Sequence, residues 1–382
     1  MEKKKMTKRY EICIVLFALI FVANNVEAVQ LKQLNMKKSI AFKISGTLQS
    51  IITKSEMASL DEDIDIHRFR LNVSGKLDEN VSFYSEFEVG SNMSSESLWV
   101  ASKASRMKIR DTSVLDESIA AGARYAQKDF GADSRLVQAY VDLKYFKKIK
   151  LRIGQVPRGS SFELNTPVNK LETINYSTSV GQFGKFVRGF QLGIAPFSFL
   201  RIGLGVDDSV GGITGGTNKP KAKWSTGGKI VLIPWKKHLK LKLCGRHVAK
   251  TQEMPDANAG IVGADFRYKG FHFQGEAYFL HVNPVNNSTK KGLKGDICSW
   301  YVHASYIIPN TTIQIVSRYN FFEKRMRVRK TDILKATANY YMEIITAGIN
   351  WSFSKSTRLQ VMYDVVDGDD NDSLDVQLEL SF

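Results

Sequence analysis

Residues 373–382 read Ser-Leu-Asp-Val-Gln-Leu-Glu-Leu-Ser-Phe, so polar and apolar side chains alternate through this stretch. Alternation with a period of two predicts a β-strand with one apolar face and one polar face. The same pattern recurs from residues 345–353 back to residues 40–48, and sixteen such runs can be counted along the chain. The body of the protein is therefore predicted to be all-β and built from amphipathic strands.

A soluble sandwich also buries one face of each strand, so other features must distinguish it from a membrane barrel. The predicted strands run for roughly nine to twelve residues, the length that a tilted strand needs to cross a bilayer. Tight connections such as Lys147-Lys148, Pro196-Phe197 and Lys269-Gly270 alternate with longer ones, and aromatic residues gather near strand ends. These features predict a transmembrane antiparallel β-barrel of about sixteen strands, with short periplasmic turns and long extracellular loops.

The strand count has one alternative. The longest connector, residues 91–134, contains two short apolar runs at Leu98–Val100 and Met107–Ile109. If both runs form strands, the barrel has eighteen strands. In either case the last strand is expected to pair with the first, because a sheet that faces lipid cannot leave its edges unpaired.

The N-terminal segment has the order of a secretory signal peptide. Residues 3–9 contain five basic side chains, an apolar stretch runs from Ile12 to Ala23, and small residues stand at Val26 and Ala28. This order predicts a signal peptide over residues 1–28 and a barrel domain over residues 29–382. A retained anchor helix is the alternative, but an apolar stretch of about twelve residues is too short to span a bilayer.

The charge of the chain and its distribution favour anions as partners. The 382 residues include 54 Lys and Arg against 38 Asp and Glu. On the predicted inward face of the strands, sixteen basic positions stand against nine acidic ones. A water-filled tube with positive walls concentrates anions and depletes cations. Two pairs of these charges are expected to be structural ion pairs, since Arg70 faces Glu88 and Arg152 faces Asp142 in the predicted register.

One predicted hairpin carries inward basic residues and no carboxylate. A two-residue turn beside Trp235 would place Lys229 directly opposite Lys242, with Lys240 and Arg246 nearby. Like charges opposite each other destabilise a sheet, so either water and salt screen them or an anion binds between them. We predict that the anion pathway follows a lumen wall formed by Lys229, Lys240, Lys242, Arg246 and Arg201.

A connector between Pro157 and Gly181 follows the fifth predicted strand and shows little strand pattern. Its length would allow it to fold into the barrel and narrow the lumen, and this would make Arg158 and Lys170 the residues of a constriction. The alternative is a loop that lies on the outer surface. The sequence leaves both arrangements open.

Three regions resemble the phosphate-selective porin O and P family of Gram-negative outer membranes. They are His67–Gly75, Gln138–Asp142 with Leu151–Pro157, and the C-terminal stretch from Gly348 to Phe382. The resemblance implies a sixteen-stranded, homotrimeric porin with an in-folded third loop and a cationic lumen. The dense arginine ladder of phosphate-specific members is absent here, so the resemblance implies a porin for anions more broadly. Outer-membrane lipid, lipopolysaccharide and small anionic solutes are the expected partners.

No group of residues predicts catalysis. The six histidines stand at positions 67, 238, 247, 272, 281 and 303, and none is predicted to form a metal-ligand set with Cys or carboxylates. We therefore expect no enzyme activity, no cofactor, no metal and no nucleic-acid partner. The sequence favours a passive diffusion channel of the Gram-negative outer membrane with a preference for small anions, such as phosphate or other anionic solutes. The alternative is a structural or adhesive barrel whose lumen is plugged and whose long loops bind a partner.

Overall fold

The computed structural model of the chain describes residues 41–55, 63–89, 135–157, 161–182, 186–208, 224–235, 238–249, 256–282, 292–329, 335–367 and 372–382. These residues form sixteen antiparallel strands in one closed barrel, in which each strand pairs with its neighbours in the sequence. The predicted fold class and strand number are confirmed. The connector of residues 91–134, with its two additional candidate strands, and the predicted signal peptide lie outside the described residues.

The sixteen strands follow one another around the barrel in chain order. The strands are β1 (Ala41–Ser55), β2 (Asp63–Lys76), β3 (Val81–Val89), β4 (Arg135–Phe146), β5 (Ile149–Pro157), β6 (Phe186–Phe197), β7 (Leu200–Asp208), β8 (Trp224–Trp235), β9 (Leu239–Val248), β10 (Ala257–Tyr268), β11 (Phe271–Val282), β12 (Gly292–Ile307), β13 (Ile313–Arg329), β14 (Lys335–Ser352), β15 (Thr357–Val366) and β16 (Ser373–Ser381). A 3-10 turn (Val168–Lys170) and a short helix α1 (Thr178–Gln182) lie between β5 and β6. Neither is long and apolar enough to cross a membrane.

The barrel closes between its first and last strands. Strand β1 pairs with both β2 and β16, and Thr47 stands opposite Ser381. The backbone N–H of Gly46 donates to the carbonyl of Phe382 at 2.8 Å, and the N–H of Phe382 donates back to Gly46 at 3.0 Å. A Cβ atom at position 46 would overlap the ring of Phe382, so any other residue there would require that ring to move. The predicted pairing of the terminal strands is confirmed.

The two faces of each strand differ as the alternation predicts. In β11, Phe271, Phe273 and Phe279 are exposed on the outer face, while His272 and Glu276 between them are buried on the inner face. Polar side chains thus point into the barrel and apolar ones point away from it. This arrangement is the reverse of a soluble protein and suits a barrel surrounded by lipid.

The connections are short at one end of the barrel and mostly longer at the other, as predicted. In the turn between β10 and β11, Lys269 and Gly270 have φ angles of 46° and 86°, as a tight two-residue hairpin requires. The predicted turn at Pro196-Phe197 is wrong by two residues. An irregularity between Ile194 and Phe197 carries β6 through Phe197, and the turn falls at residues 198–199.

Candidate functional site

Residues 161–182, which we call the inward connector, lie inside the barrel. The carbonyl of Glu172 accepts a hydrogen bond from the side-chain amide of Asn350 at 2.8 Å, and the Ser179 hydroxyl lies 2.5 Å from that of Ser299. Asn350 and Ser299 are buried side chains of the inner face of the wall. Of the two arrangements that the sequence left open, the structure has the inward one for residues 161–182.

Two arginines of the wall hold the inward connector in place. The Nη1 atom of Arg318 donates to the Glu163 carboxylate at 3.0 Å, to the Thr173 hydroxyl at 2.8 Å and to the carbonyl of Asn175 at 2.9 Å. Farther round the wall, Arg358 donates to the carbonyl of Leu171 at 2.7 Å. A guanidinium has five N–H donors in a rigid plane, and this suits it to hold several points of an irregular backbone.

Apolar packing reinforces these polar contacts. The buried side chains of Leu164, Leu171, Tyr176 and Val180 from the connector belong to one cluster with residues of β9 to β12. Burial of each large apolar side chain contributes about 1.5–3 kcal/mol. The connector therefore has its own core against one side of the wall, and it occupies that side of the lumen.

A cavity of about 810 Å³ lies on the other side of the lumen, mainly along β5 to β9. Phe162 and Asn165 of the inward connector form part of its boundary. Among the residues that the structure describes, its lining includes only two acidic ones, Glu79 and Asp207. The ten basic residues of its lining are Lys144, Lys147, Lys148, Lys150, Arg152, Arg201, Lys229, Lys240, Lys242 and Arg246.

The structure brings all five predicted wall residues to this cavity. They come from three neighbouring strands: Arg201 from β7, Lys229 from β8, and Lys240, Lys242 and Arg246 from β9. Arg201 is exposed, and within the described part of the chain it has no carboxylate at ion-pair distance. Lys150 lies on the same face of β5 as Arg152 and also lines the cavity. The alternation along β5 could have assigned Lys150 to the inner face, but the prediction omitted it.

The predicted direct opposition of Lys229 and Lys242 is wrong. Lys229 stands opposite Cys244, and Lys242 stands opposite Val231. The connection between β8 and β9 spans residues 236–238, and the register shifts between Leu232 and Trp235. A longer turn and a bulge move the pairing along the strand, so the two lysines become diagonal neighbours.

The expectation that no carboxylate shares this basic patch is also wrong. The Lys242 ammonium lies 3.2 Å from Glu276 on β11, and the Lys240 ammonium lies 3.3 Å from Asp265 on β10. Arg246 forms an ion pair with Asp207 on β7. These carboxylates belong to other hairpins, so they are not visible when the β8–β9 hairpin is considered alone. The predicted pairs on other strands are confirmed: Arg70 with Glu88 and Arg152 with Asp142.

Glycines of the inner face leave the space that the cavity occupies. Gly193, Gly203, Gly205 and Gly227 all line it, on β6, β7 and β8. Gly203 stands directly opposite Lys229 across the β7–β8 ladder. A Cβ atom on Gly203 would come within 2.7–2.8 Å of the Lys229 side chain, so the glycine allows that side chain to lie across the wall.

The structure describes only one of the two predicted constriction residues. Arg158 lies outside the described residues. Lys170 is exposed at the end of the 3-10 turn of the inward connector. It lines a separate small cavity of about 30 Å³ together with Arg267 and His272, and it is not part of the lining of the large cavity.

A cluster of two histidines and a carboxylate joins the inward connector to β11 and β12. The Oε2 atom of Glu172 lies 2.9 Å from Nδ1 of His272 and 2.6 Å from Nε2 of His303. Burial acts to raise the pKa of the Glu172 carboxyl, but the two imidazoles outweigh it and hold that pKa well below its usual value. The expectation that no histidine groups with carboxylates is wrong, because the sequence separations of 100 and 131 residues hide the cluster.

Comparisons with known proteins give similarity in structure. No family model matches the chain, and no curated protein matches it in sequence. The outer membrane channel DcaP of Acinetobacter baumannii is similar with a TM-score of 0.60 at 12% identity, over 91% of this chain and 98% of that one.

An anion-selective porin from Comamonas acidovorans is similar with a TM-score of 0.58 at 12% identity, over 90% of this chain and 100% of that one. A trimer form of OmpT, an outer membrane protein of Vibrio cholerae, gives a TM-score of 0.58 at 10% identity, over 90% and 100% of the two chains. The resemblance to the phosphate-selective family stays a prediction. At these identities the likeness concerns the fold: the chain has the barrel fold of porin-like outer-membrane proteins.

Proposed function

We propose that the protein is a porin of the Gram-negative outer membrane, a passive channel through which small anions diffuse in preference to cations. Solutes would pass between the inward connector and the basic wall formed by β5 to β9. No bond is made or broken in this function. Selectivity would come from the charge and the width of the path, with binding weak enough for release.

The observation that carries this proposal is the charge of the large cavity, where ten basic residues stand against two acidic ones in the lining. Several of the ten are neutralised by neighbouring carboxylates, but Arg201 is exposed and has none at ion-pair distance within the described residues. A positive wall of low dielectric raises the local anion concentration. We therefore assign Arg201 the largest share of the selectivity among the five wall residues.

Planar-bilayer recording under a KCl gradient tests the proposal. The protein should give ohmic single-channel steps and a reversal potential that indicates higher permeability for anions than for cations. Arg201→Glu should move the reversal potential toward cations. The matched control is Arg325→Glu, which makes the same change of charge at an exposed position paired with Glu323 on β13. A reversal potential that responds equally to both substitutions would reject the role of Arg201.

The second candidate function is a structural or adhesive barrel with a plugged lumen. The observation that favours it is the apolar cluster through which the inward connector packs against β9 to β12. The same recordings separate the two functions, because a plugged barrel would give no steps in the bilayer. Phosphate and organic anions in place of chloride would show which solutes pass.

We extend the proposal to assembly and surroundings. A homotrimer is supported by the trimer form of the similar OmpT structure. Contact with outer-membrane lipid is supported by the exposed aromatic side chains near strand ends, among them Trp235, Tyr268, Trp351 and Phe353. The excess of positive charge suits contact with lipopolysaccharide phosphates. Crosslinking of the protein in native membranes, followed by electrophoresis, tests the trimer.

A further inference from the structure

The cluster of Glu172, His272 and His303 brings several polar groups to one carboxylate oxygen. Both imidazoles are only 6% exposed, and each directs a ring nitrogen at the same carboxylate oxygen, Oε2 of Glu172. The hydroxyl of Ser305 donates to that oxygen as well, at 2.7 Å. One ligand-type atom of each of the three residues lies within 4.8 Å of the others. We propose that Glu172, His272 and His303 bind a divalent transition metal ion such as Zn²⁺.

The chemistry of the donors selects the class of ion. Two imidazole nitrogens and one carboxylate oxygen form a ligand set that Zn²⁺ takes in proteins. Mg²⁺ and Ca²⁺ prefer all-oxygen sites and are poorly matched to this one. Three protein ligands leave a fourth position of a tetrahedral ion for water or for the Ser305 hydroxyl.

The distances are close to those of an occupied site. Ligand atoms bound to one tetrahedral Zn²⁺ at its usual bond lengths lie about 3.4 Å apart. The nitrogen atoms of His272 and His303 lie 2.9 and 2.6 Å from the Glu172 oxygen. Binding of an ion therefore requires each histidine nitrogen and the Glu172 oxygen to move apart by roughly half an ångström to one ångström. Changes in side-chain torsion angles can supply this movement.

The surroundings support a bound ion. The Nε2 atom of His272, the nitrogen that faces away from Glu172, lies 3.3 Å from a carboxylate oxygen of Asp265. This nitrogen has no hydrogen-bond partner among the described residues, and a small rotation of the ring would let it donate to Asp265, as the second nitrogen of metal-binding histidines usually does to a carboxylate.

The adjoining cavity of about 30 Å³ is large enough to hold an ordered water molecule. Three cations line this cavity. Lys170 and Arg267 are exposed, so salt screens their repulsion of the ion, and the buried Arg318 forms an ion pair with Glu163.

A bound ion would fasten the inward connector to two strands of the wall. Glu172 belongs to the connector, His272 to β11 and His303 to β12. The hydrogen bonds between the two imidazoles and the Glu172 oxygen would be replaced by bonds from all three side chains to the ion. This inference does not depend on ion conduction, because binding can be measured on the protein in detergent.

Calorimetric titration of the detergent-purified protein with ZnCl₂ tests the proposal. The protein should bind one Zn²⁺ per chain at this site. The double variant His272→Gln/His303→Gln keeps amide donors for Glu172, so the connector should stay tethered while affinity falls at least tenfold. The matched control is His247→Gln, which removes an exposed imidazole that contacts Asn258 on the barrel wall.

Two further measurements separate a metal site from a purely structural tie. Zinc absorption spectroscopy should show imidazole ligands in the protein and lose them in the double variant. Asp265→Asn should weaken Zn²⁺ binding 10- to 100-fold, as removal of a carboxylate partner of a ligating histidine does elsewhere. The proposal is overturned if the unmodified protein binds no Zn²⁺, or if the double glutamine variant binds it as tightly.

Discussion

The ammonium of Lys242 lies 3.2 Å from the carboxylate of Glu276, and the side chains of both residues are almost fully buried in the barrel wall. The Lys242 ammonium also lies 3.6 Å from the ring centre of Phe162 on the inward connector. The Glu276 carboxylate accepts hydrogen bonds from the Phe162 N–H and from the hydroxyls of Ser161 and Tyr301, each at 2.7 Å. This ion pair therefore joins the wall to the start of the connector.

Removal of the Lys242 charge is expected to destabilise the barrel. Lys242→Gln should lower the free energy of unfolding by about 3 kcal/mol, because it leaves a buried carboxylate without its counter-charge. The matched control is Lys240→Gln on the same strand, since Lys240 pairs with Asp265 at 3.3 Å but is partly exposed. That substitution should cost less than about 1 kcal/mol. Denaturant unfolding in lipid vesicles measures both, and equal costs would contradict the argument from burial.

The anion preference should weaken as salt is added. The Debye length is about 10 Å at 0.1 M salt and about 3 Å at 1 M, so the field of the basic wall reaches less far across the lumen. The ratio of anion to cation permeability should therefore fall toward one between these concentrations. Reversal potentials measured at a fixed concentration gradient provide the test. A ratio that stays constant would mean that width, rather than charge, selects the solutes.

Filling the glycine-lined side of the cavity should reduce the current. Gly205 is a lining residue, and a Cβ atom there would have ordinary van der Waals contacts, so Gly205→Phe is expected to fold and to narrow the path. The control is Gly260→Phe on β10, where a Cβ atom would meet nothing within 4 Å and which is not a lining residue. Position 260 alternates with the buried Ile261 and has the parity of the outer face.

Single-channel conductance compares the two glycine variants. Gly205→Phe should lower the conductance, and Gly260→Phe should leave it close to that of the unmodified protein. The outcome that would contradict the proposed path is an unchanged conductance for Gly205→Phe in a protein that is shown to be folded by its circular dichroism.

Loss of the Arg318 guanidinium should loosen the inward connector. Arg318→Gln removes the donor that reaches Glu163, Thr173 and the backbone of Asn175. We expect faster proteolysis within residues 161–182 and greater noise in the open-channel current. Arg325→Gln on the same strand is the control, because Arg325 is exposed and pairs with Glu323. If the two variants are cleaved at the same rate, Arg318 does not hold the connector.

The faces of the strands could be predicted from the sequence, but their pairing could be predicted only in part. Alternation along β11 assigns Phe271 outward and His272 inward without any knowledge of neighbouring strands. Whether Lys229 stands opposite Lys242 depends on the length of the turn and on a bulge, and the alternation of polar and apolar residues indicates neither of them. A bulge adds a residue to one strand only, so every later pair of that hairpin is displaced.

The contacts of the inward connector were beyond prediction from the sequence. Its position inside the barrel was one of two possibilities that its length allowed. The meeting of Glu172 with His303 spans 131 residues and arises from barrel closure together with the inward fold. Arg318 and Arg358 have the parity of the inner face, but their partners are backbone carbonyls and side chains of an irregular segment. Such a segment has no period from which its register could be inferred.

The attachment of the inward connector also has a consequence for the order of assembly. The wall residues that hold it by hydrogen bonds, Glu276, Ser299, Arg318, Asn350 and Arg358 among them, all stand later in the chain than the connector itself. These partners come together only when the C-terminal strands have joined the sheet. We therefore expect the narrowing of the lumen to be completed late in biogenesis, after the cylinder around it has been built.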